Sequence, residues 1–310
     1  MPPRHYTSVL DLDRDQTLAV LARAAKLKAA WHKKRKASKR LRGYTLAAIF
    51  EKPSLRTRTT FEAGMTQLGG HSTYLGPNDI RLGARESVAD IAQNLSRWVQ
   101  IIMARTYAHS TITELAEWSA VPVINGLSDQ EHPCQALADF QTLQERLGNL
   151  EGKKLAYVGD GNNVAHSLLL MGALLGMHVS VATPEGYEPH MEIIERAQQL
   201  AAAQHANIEA TWDVQHAVQG ADAVYTDVWA SMGQEVEAEA RRSIFAGYQV
   251  TPELMAATGK PETIFMHCLP AHRGEEVAAA VLDGPQSVVF DQAENRLHAQ
   301  KALILWLLDR

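Results

Sequence analysis

Thr45-Leu46-Ala47-Ala48-Ile49-Phe50 carries no charge and no turn residue, and it is followed at once by Glu51-Lys52-Pro53-Ser54 and a helical stretch from Leu55 to Leu68. A short apolar run bounded by turn residues reads as a buried strand. Pro53 lacks the donor a sheet would need, and Ser54 is a natural cap for the helix that follows. Strand, polar turn and helix in that order form the repeating unit of parallel α/β architecture.

The same alternation extends outward in both directions. Ser72 to Leu75, Ile101 to Ala104 and Val121 to Asn125 read as further strands, with helices over Ser87 to Val99, Thr113 to Ser119 and His132 to Leu147. Leu147-Gly148-Asn149-Leu150-Glu151-Gly152-Lys153 interrupts the pattern with two glycines and polar residues, so the domain boundary is placed there: residues 1–147 and 148–310. The pattern then restarts with a strand from Lys154 to Gly159, a helix from Asn163 to Leu175 and a strand from Val179 to Ala182. Later strands are expected at Ala223 to Asp227, Ile264 to His267 and Val288 to Asp291, with a last helix from Glu294 to Leu308 packing back on the first domain. The expected fold is α/β, two doubly wound parallel-sheet domains. Ligands of such sheets gather at the carboxyl ends of the strands.

Composition narrows the function classes. The 310 residues are 46% hydrophobic and 21% charged, as in an ordinary globular protein of two domains. No apolar run reaches the roughly 18 residues a membrane span needs, and the N-terminus lacks a secretion signal, so a cytoplasmic protein without membrane partners is expected. Cys134 and Cys268 are too few for a disulfide framework or a thiolate metal site. A net charge of −5 argues against attraction to nucleic acid by the overall field. The exception is the basic stretch from Lys26 to Arg42, which follows Leu18, Leu21, Ala25 and Leu27 at helical spacing. A solvated helix face is the favoured reading; a nucleic-acid-binding protein using this stretch is the alternative from a different class.

Five polar clusters fall at the expected strand ends. Ser54-Leu55-Arg56-Thr57-Arg58 opens a helix, where free N–H groups and the positive end of the helix dipole suit a phosphate, with Arg56 and Thr57 adding donors. A capped helix with surface arginines would look the same locally. His132-Pro133-Cys134-Gln135 opens another helix, and a neutral His and a Gln three residues apart can both donate to a carbonyl oxygen; a packed His and a capping Gln are the alternative. Gly159-Asp160-Gly161-Asn162-Asn163-Val164 resembles a dinucleotide fingerprint, but Val164 stands at the third glycine position, so no nicotinamide or flavin cofactor is expected. Its Asn162 and Asn163 offer amides to an amino acid, or serve only as turn and cap residues. Asp227-Val228-Trp229-Ala230-Ser231-Met232-Gly233 and His267-Cys268-Leu269-Pro270 end two strands. Together their carboxylate and thiol can hold and deprotonate an amine, although a lone Cys is commonly a small buried hydrophobe. Arg296, at the start of the last helix, brings one more positive charge or is an ordinary helix-end residue.

In this order the motifs resemble the aspartate/ornithine carbamoyltransferase family along nearly the whole chain. Ser54 to Arg58 match the family pattern S-x-R-T-R and His132 to Gln135 match H-P-x-Q. Asp227 with Ser231-Met232-Gly233, and His267-Cys268-Leu269-Pro270, are similar to the ornithine branch of that family. The resemblance implies transfer of a carbamoyl group from carbamoyl phosphate to L-ornithine in an interdomain active-site cleft that closes by a hinge, without metal or organic cofactor, in a homotrimer or a multiple of it. A carbamoyltransferase for another amine, such as putrescine, is the alternative within the family.

Carried over residue by residue, the resemblance assigns carbamoyl phosphate to Ser54, Leu55, Arg56, Thr57, Arg81, Arg105, His132, Gln135, Cys268, Leu269 and Arg296. It assigns ornithine to Asn163, Asp227, Ser231 and Met232. Cys268, Arg105, His132 and Asp227 are the implied catalytic residues. The chain departs from the common pattern at Leu55, where many members have Thr, and at Arg81, where many have Gln; the Arg81 loop is implied to reach a neighbouring subunit. The peptide before Pro270 is expected to be cis.

Overall fold

The computed structural model describes residues 3–230 and 237–310. The chain forms two compact units, Met1–Gln141 with Glu294–Arg310, and Thr142–Ala293. Gly148 directly follows the end of a helix, Pro133–Leu147, and Gly152 lies in the turn beyond it, whereas the unit division falls earlier, inside that helix.

The first unit contains α1 (Arg14–Lys34), β1 (Thr45–Phe50), α2 (Leu55–Leu68), β2 (His71–Leu75), α3 (Pro77–Ile80), α4 (Val88–Trp98), β3 (Ile101–Arg105), α5 (His109–Trp118), β4 (Val123–Leu127) and the start of α6 (Pro133–Leu147). Its four strands pair in parallel in the order β2-β1-β3-β4. One face of this sheet packs Ile49, Ile102 and Ala104 against Ile91 and Leu95 of α4 and Ile112 and Leu115 of α5. On α4 the buried positions are Val88, Ile91, Ala92 and Leu95, the spacing that puts apolar side chains on one helix face. In α1 the buried stripe is Thr17, Val20, Leu21 and Ala24, while Ala25 is exposed, a correction to the stripe read from the sequence. Most of the basic stretch is solvent-exposed, from the last turns of α1 into the following segment, as a solvated face requires.

The second unit contains β5 (Lys154–Val158), α7 (Asn163–Leu174), β6 (His178–Ala182), α8 (Met191–Ala202), β7 (Ile208–Thr211), α9 (Val214–Val218), β8 (Ala223–Thr226), α10 (Ala238–Phe245), α11 (Pro252–Ala256), β9 (Ile264–His267), α12 (Ala279–Leu282) and the start of α13 (Val289–Leu307). The five strands pair in parallel in the order β7-β6-β5-β8-β9. Ala156, Val158, Val224 and Phe265 of the sheet pack against Val218, Leu254 and Val281. Helix α7 is buried on every residue from Val164 to Ala173, which is why its sequence is apolar on all sides.

One expected strand is absent. Val289 to Asp291 open helix α13 instead, with Val288 just before it; only Ser287 forms an isolated bridge to Phe265, and Val288 N–H donates to the Phe265 carbonyl at 3.0 Å. The β-branched pair Val288-Val289 raises local strand propensity, but α13 packs it into the core and leaves Phe290 exposed. The edge strand β7, with sequence Ile208-Glu209-Ala210-Thr211, is too short and polar to carry a strand signal of its own.

Candidate active site

The parallel register sets the first half of the site. Phe50, last residue of β1, pairs with Arg105, last residue of β3, and β3 pairs with β4, so three strand ends lie side by side at one edge of the sheet. The loop after β1 leads into α2, capped by Ser54, whose hydroxyl accepts from Thr57 N–H at 3.3 Å. Such a cap contributes about 1 kcal/mol and leaves the neighbouring N–H groups of the first turn for an anion. Leu55 turns its side chain to solvent, 76% exposed, so only its backbone is available to the helix terminus. Thr57 is buried, and its hydroxyl accepts from Arg296 Nη2 at 3.1 Å.

Arg296 is the hub of this half. Besides Thr57, its Nη1 donates to Gln135 Oε1 at 2.6 Å and its Nε to Gln300 Oε1 at 3.3 Å. All three acceptors are neutral, so these bonds orient the guanidinium without cancelling its charge. Gln135 in turn donates through Nε2 to Asp139 Oδ1 at 2.7 Å, which fixes the amide with its oxygen toward Arg296. The motifs S-x-R-T-R and H-P-x-Q, far apart in sequence, thus meet on one buried arginine.

His132 is buried, and burial first, then the charges of Arg296, Arg105 and Arg56, hold its imidazole well below the usual histidine range. It is neutral at physiological pH, able to donate a hydrogen bond without giving up a proton. Three guanidiniums acting on one imidazole also mark a focus of positive charge suited to a phosphate or a developing oxyanion. Arg58 lies elsewhere: it pairs with Glu62 at 3.0 Å and stacks over Tyr74 at 3.7 Å. Arg81 is exposed in the left-handed region, at φ 44°, and no hydrogen bond or ion pair joins it to the Thr57–Arg296 network among the described residues. Cys134 belongs to the core: its thiol donates to the Asn125 carbonyl at 3.3 Å, and burial pushes it up to about 12, out of reach as a nucleophile.

The second half lies in the other unit, where β5, β8 and β9 end side by side. Asp227 follows β8 and is buried; its Oδ1 accepts from Cys268 Sγ at 2.9 Å and from Val228 N–H at 2.8 Å, and its Oδ2 from Asn162 Nδ2 at 2.9 Å. Asn162 also caps α7, accepting from Val164 N–H at 2.9 Å and Ala165 N–H at 3.2 Å. This side chain therefore ties the helix start to the carboxylate, a more specific role than the amide donor its sequence position suggests. Gly161 is required there by space: a Cβ would meet the Pro189 nitrogen at 2.2 Å.

Arg241 is the residue the sequence did not announce. Buried on α10, it donates to the Trp229 carbonyl at 2.9 Å and pairs with Asp160 at 3.1 Å and Glu237 at 3.1 Å. It thereby holds the segment just after Asp227 against the turn after β5. Burial pushes the Asp160 carboxyl up to about 6 despite the opposing Arg241 charge. No local motif signals it; only the excess of buried acid around the turn would have asked for a cation.

The Leu269–Pro270 peptide is cis, and Leu269 N–H donates to His267 Nδ1 at 2.8 Å. The imidazole proton therefore sits on Nε2, facing Glu276 at 3.2 Å. Asp227, His267 and Cys268 bring ligand atoms within 4.8 Å of one another, but both His267 nitrogens are already engaged, which disfavours a metal there. Asn163 is half-buried in the first turn of α7. Ser231 and Met232, assigned to ornithine by resemblance, lie outside the described residues.

One unit offers an anion site with a neutral imidazole, the other a carboxylate–thiol pair suited to a cationic amine: the parts of a two-domain group transferase. Two family profiles cover the chain: the aspartate/ornithine carbamoyltransferase carbamoyl-P binding domain matches residues 4–145, and the Asp/Orn binding domain matches residues 151–307. The chain belongs to the aspartate/ornithine carbamoyltransferase family and is a carbamoyltransferase. It is 56% identical over 309 residues to an ornithine carbamoyltransferase of Symbiobacterium thermophilum, covering 98% of each chain. Among solved structures, ornithine carbamoyltransferase from Pyrococcus furiosus superposes with a TM-score of 0.94 at 53% identity, over 98% of this chain and 96% of that one. The enzyme from Thermus thermophilus gives 0.88 at 46% identity, over 99% and 100%.

Proposed function

We propose that the protein transfers the carbamoyl group of carbamoyl phosphate to the side-chain amine of L-ornithine, forming citrulline and phosphate. The observation that carries this reading is Arg296, buried and bonded at once to Thr57 of the phosphate motif and Gln135 of the carbonyl motif. Ornithine as acceptor is supported by the Asp227–Cys268 pair and by the names of the relatives.

In the first unit, Ser54, Arg56, Thr57, the Leu55 backbone and Arg296 bind the phosphate, while Arg105, His132 and Gln135 address the carbamoyl group. In the second, Asp227 holds the ornithine ammonium, whose pKa in water is about 10.4, and its proton passes to the Asp227–Cys268 pair. The amine attacks the carbamoyl carbon, negative charge grows on the carbonyl oxygen where Arg105, Thr57 and neutral His132 donate, and the bond to phosphate breaks as the departing phosphate takes the second proton from the amine nitrogen. Asn163, Ser231, Met232 and Leu269 complete the substrate contacts by resemblance, and Arg81 acts at a neighbouring subunit. The leaving group is already activated, so positioning and charge stabilisation suffice.

No helix among the described residues is long and apolar enough to cross a membrane. We place the enzyme in the cytoplasm, as a homotrimer or a multiple of it, in arginine synthesis; one relative, from Pyrococcus furiosus, is named as anabolic. The test is to supply carbamoyl phosphate with ornithine, putrescine, acetylornithine or aspartate in parallel and quantify each carbamoylated product. Ornithine should win by at least a hundredfold in kcat/KM; preference for another acceptor would reject the assignment. Light scattering of the purified protein tests the trimer.

A further inference from the structure

We propose that His32, Glu294 and His298 form a binding site for a divalent transition-metal cation, Zn2+ above all, between the last turn of α1 and the helix that carries Arg296. Glu294 and His298 are four residues apart on α13 and so share a face, and His32 reaches the same carboxylate from α1. Glu294 Oε1 lies 2.6 Å from His32 Nε2 and 3.7 Å from His298 Nε2, and one ligand atom from each of the three residues falls within 4.8 Å of the others. Two imidazoles and one carboxylate are a donor set that zinc accepts with water in the fourth position. Bonds of about 2.0–2.2 Å at tetrahedral angles need ligand atoms roughly 3.3–3.6 Å apart. The observed separations bracket that range, and the half-exposed His32 side chain in the last turn of α1 already holds its Nε2 against the shared carboxylate.

His298 supplies the independent observation. Its side chain is 0% exposed, yet neither ring nitrogen makes a hydrogen bond. Leaving a buried polar group unsatisfied is costly, and its Nε2 points toward Glu294. Burial first, with Lys301 adding to it, pushes the imidazole down to about 4, so its lone pair is available without displacing a proton. Two cations oppose a metal: Lys28 Nζ lies 3.8 Å from Glu294 Oε2, and the Lys301 charge acts on His298. The Lys28 ammonium is also bonded to Asn295 Oδ1 at 2.8 Å, which keeps it on the far carboxylate oxygen. The site is therefore weaker than a structural zinc centre of four protein ligands. Arg296 stands two residues beyond Glu294, so a bound cation would fasten its helix to α1.

The experiment titrates the chelator-stripped full-length protein with ZnCl2 by calorimetry, and with CoCl2 by absorption spectroscopy, in a Cys268→Ser background that removes the thiol of the second unit. One equivalent should bind, with cobalt bands typical of nitrogen and oxygen ligands. His298→Gln and His32→Gln should each weaken binding about tenfold or more. If His298→Gln fails to fold, His32→Gln at its exposed position decides alone. Absence of binding in the Cys268→Ser protein, or unchanged affinity in His32→Gln, would overturn the proposal.

Discussion

Arg296 Nη1 lies 2.6 Å from Gln135 Oε1, and through this bond a residue of the last helix orients one at the start of α6. The same guanidinium reaches Thr57 with its other terminal nitrogen, so its planar fork spans two motifs at once. A lysine ammonium is a point charge and cannot reproduce that span. Arg296→Lys should fold normally by circular dichroism and lower kcat by about 10²–10³, in the range lost with a single oxyanion donor. Loss of less than about threefold in steady-state assays would show that charge alone suffices.

Cys268 Sγ donates to Asp227 Oδ1 at 2.9 Å, which makes the two groups one proton-handling pair. Serine keeps a donor to Asp227, but its hydroxyl has no accessible anion at neutral pH, whereas a thiol ionises near 8.5. Cys268→Ser should lower kcat about 10²–10⁴-fold, the usual contribution of positioned acid–base groups. A variant with near-normal kcat across the pH range would leave Asp227 as the only proton acceptor.

How far the fold and the site are legible in the sequence depends on the range of each signal. Strands and helices such as Thr45–Phe50 and Leu55–Leu68 follow from local periodicity and capping, and both appear as expected. The clusters at the strand ends are equally local, and the sheet places Phe50 opposite Arg105 by register. Sequence could not show that Thr57, Gln135 and Arg296 share hydrogen bonds, because their contact spans well over a hundred residues. Arg241 was invisible for a related reason: its partners Asp160 and Trp229 come from different turns of the sheet. Val288 to Asp291 misled because β-branched residues also serve as buried helix starts, where packing overrides propensity.

Glu131 gives a pH-dependent prediction. It is buried, accepts from Val9 N–H at 2.9 Å, and burial pushes its carboxyl up to about 7. A carboxyl whose folded pKa lies above its unfolded value binds more protons in the native state, so stability falls as pH rises from about 4.5 through 7. Glu131→Gln keeps an acceptor for Val9 and cannot ionise. Against the parent, it should gain roughly 1–3 kcal/mol between pH 5 and pH 8 in denaturant unfolding. Parallel stability profiles for the two proteins would contradict a shifted Glu131.

Arg241 and Asp160 form a buried pair at 3.1 Å, with the guanidinium also donating to the Trp229 carbonyl. Removing one member of such a pair strands the other charge, typically at a cost of 3–5 kcal/mol. Arg241→Met should therefore destabilise strongly at pH 8. Because the Asp160 carboxyl already sits at about 6, acidification protonates it and relieves that cost, so the defect should shrink toward pH 5. Adding Asp160→Asn to Arg241→Met removes the stranded carboxylate. The double variant should thus recover part of the lost stability at pH 8 and lose the pH dependence of the single one, a coupling read directly from a double-mutant cycle. The Trp229 carbonyl stays unpaired in both, so ornithine KM should remain raised even where stability returns. Recovery of KM together with stability would mean that Arg241 acts on the fold alone and does not position the segment after Asp227.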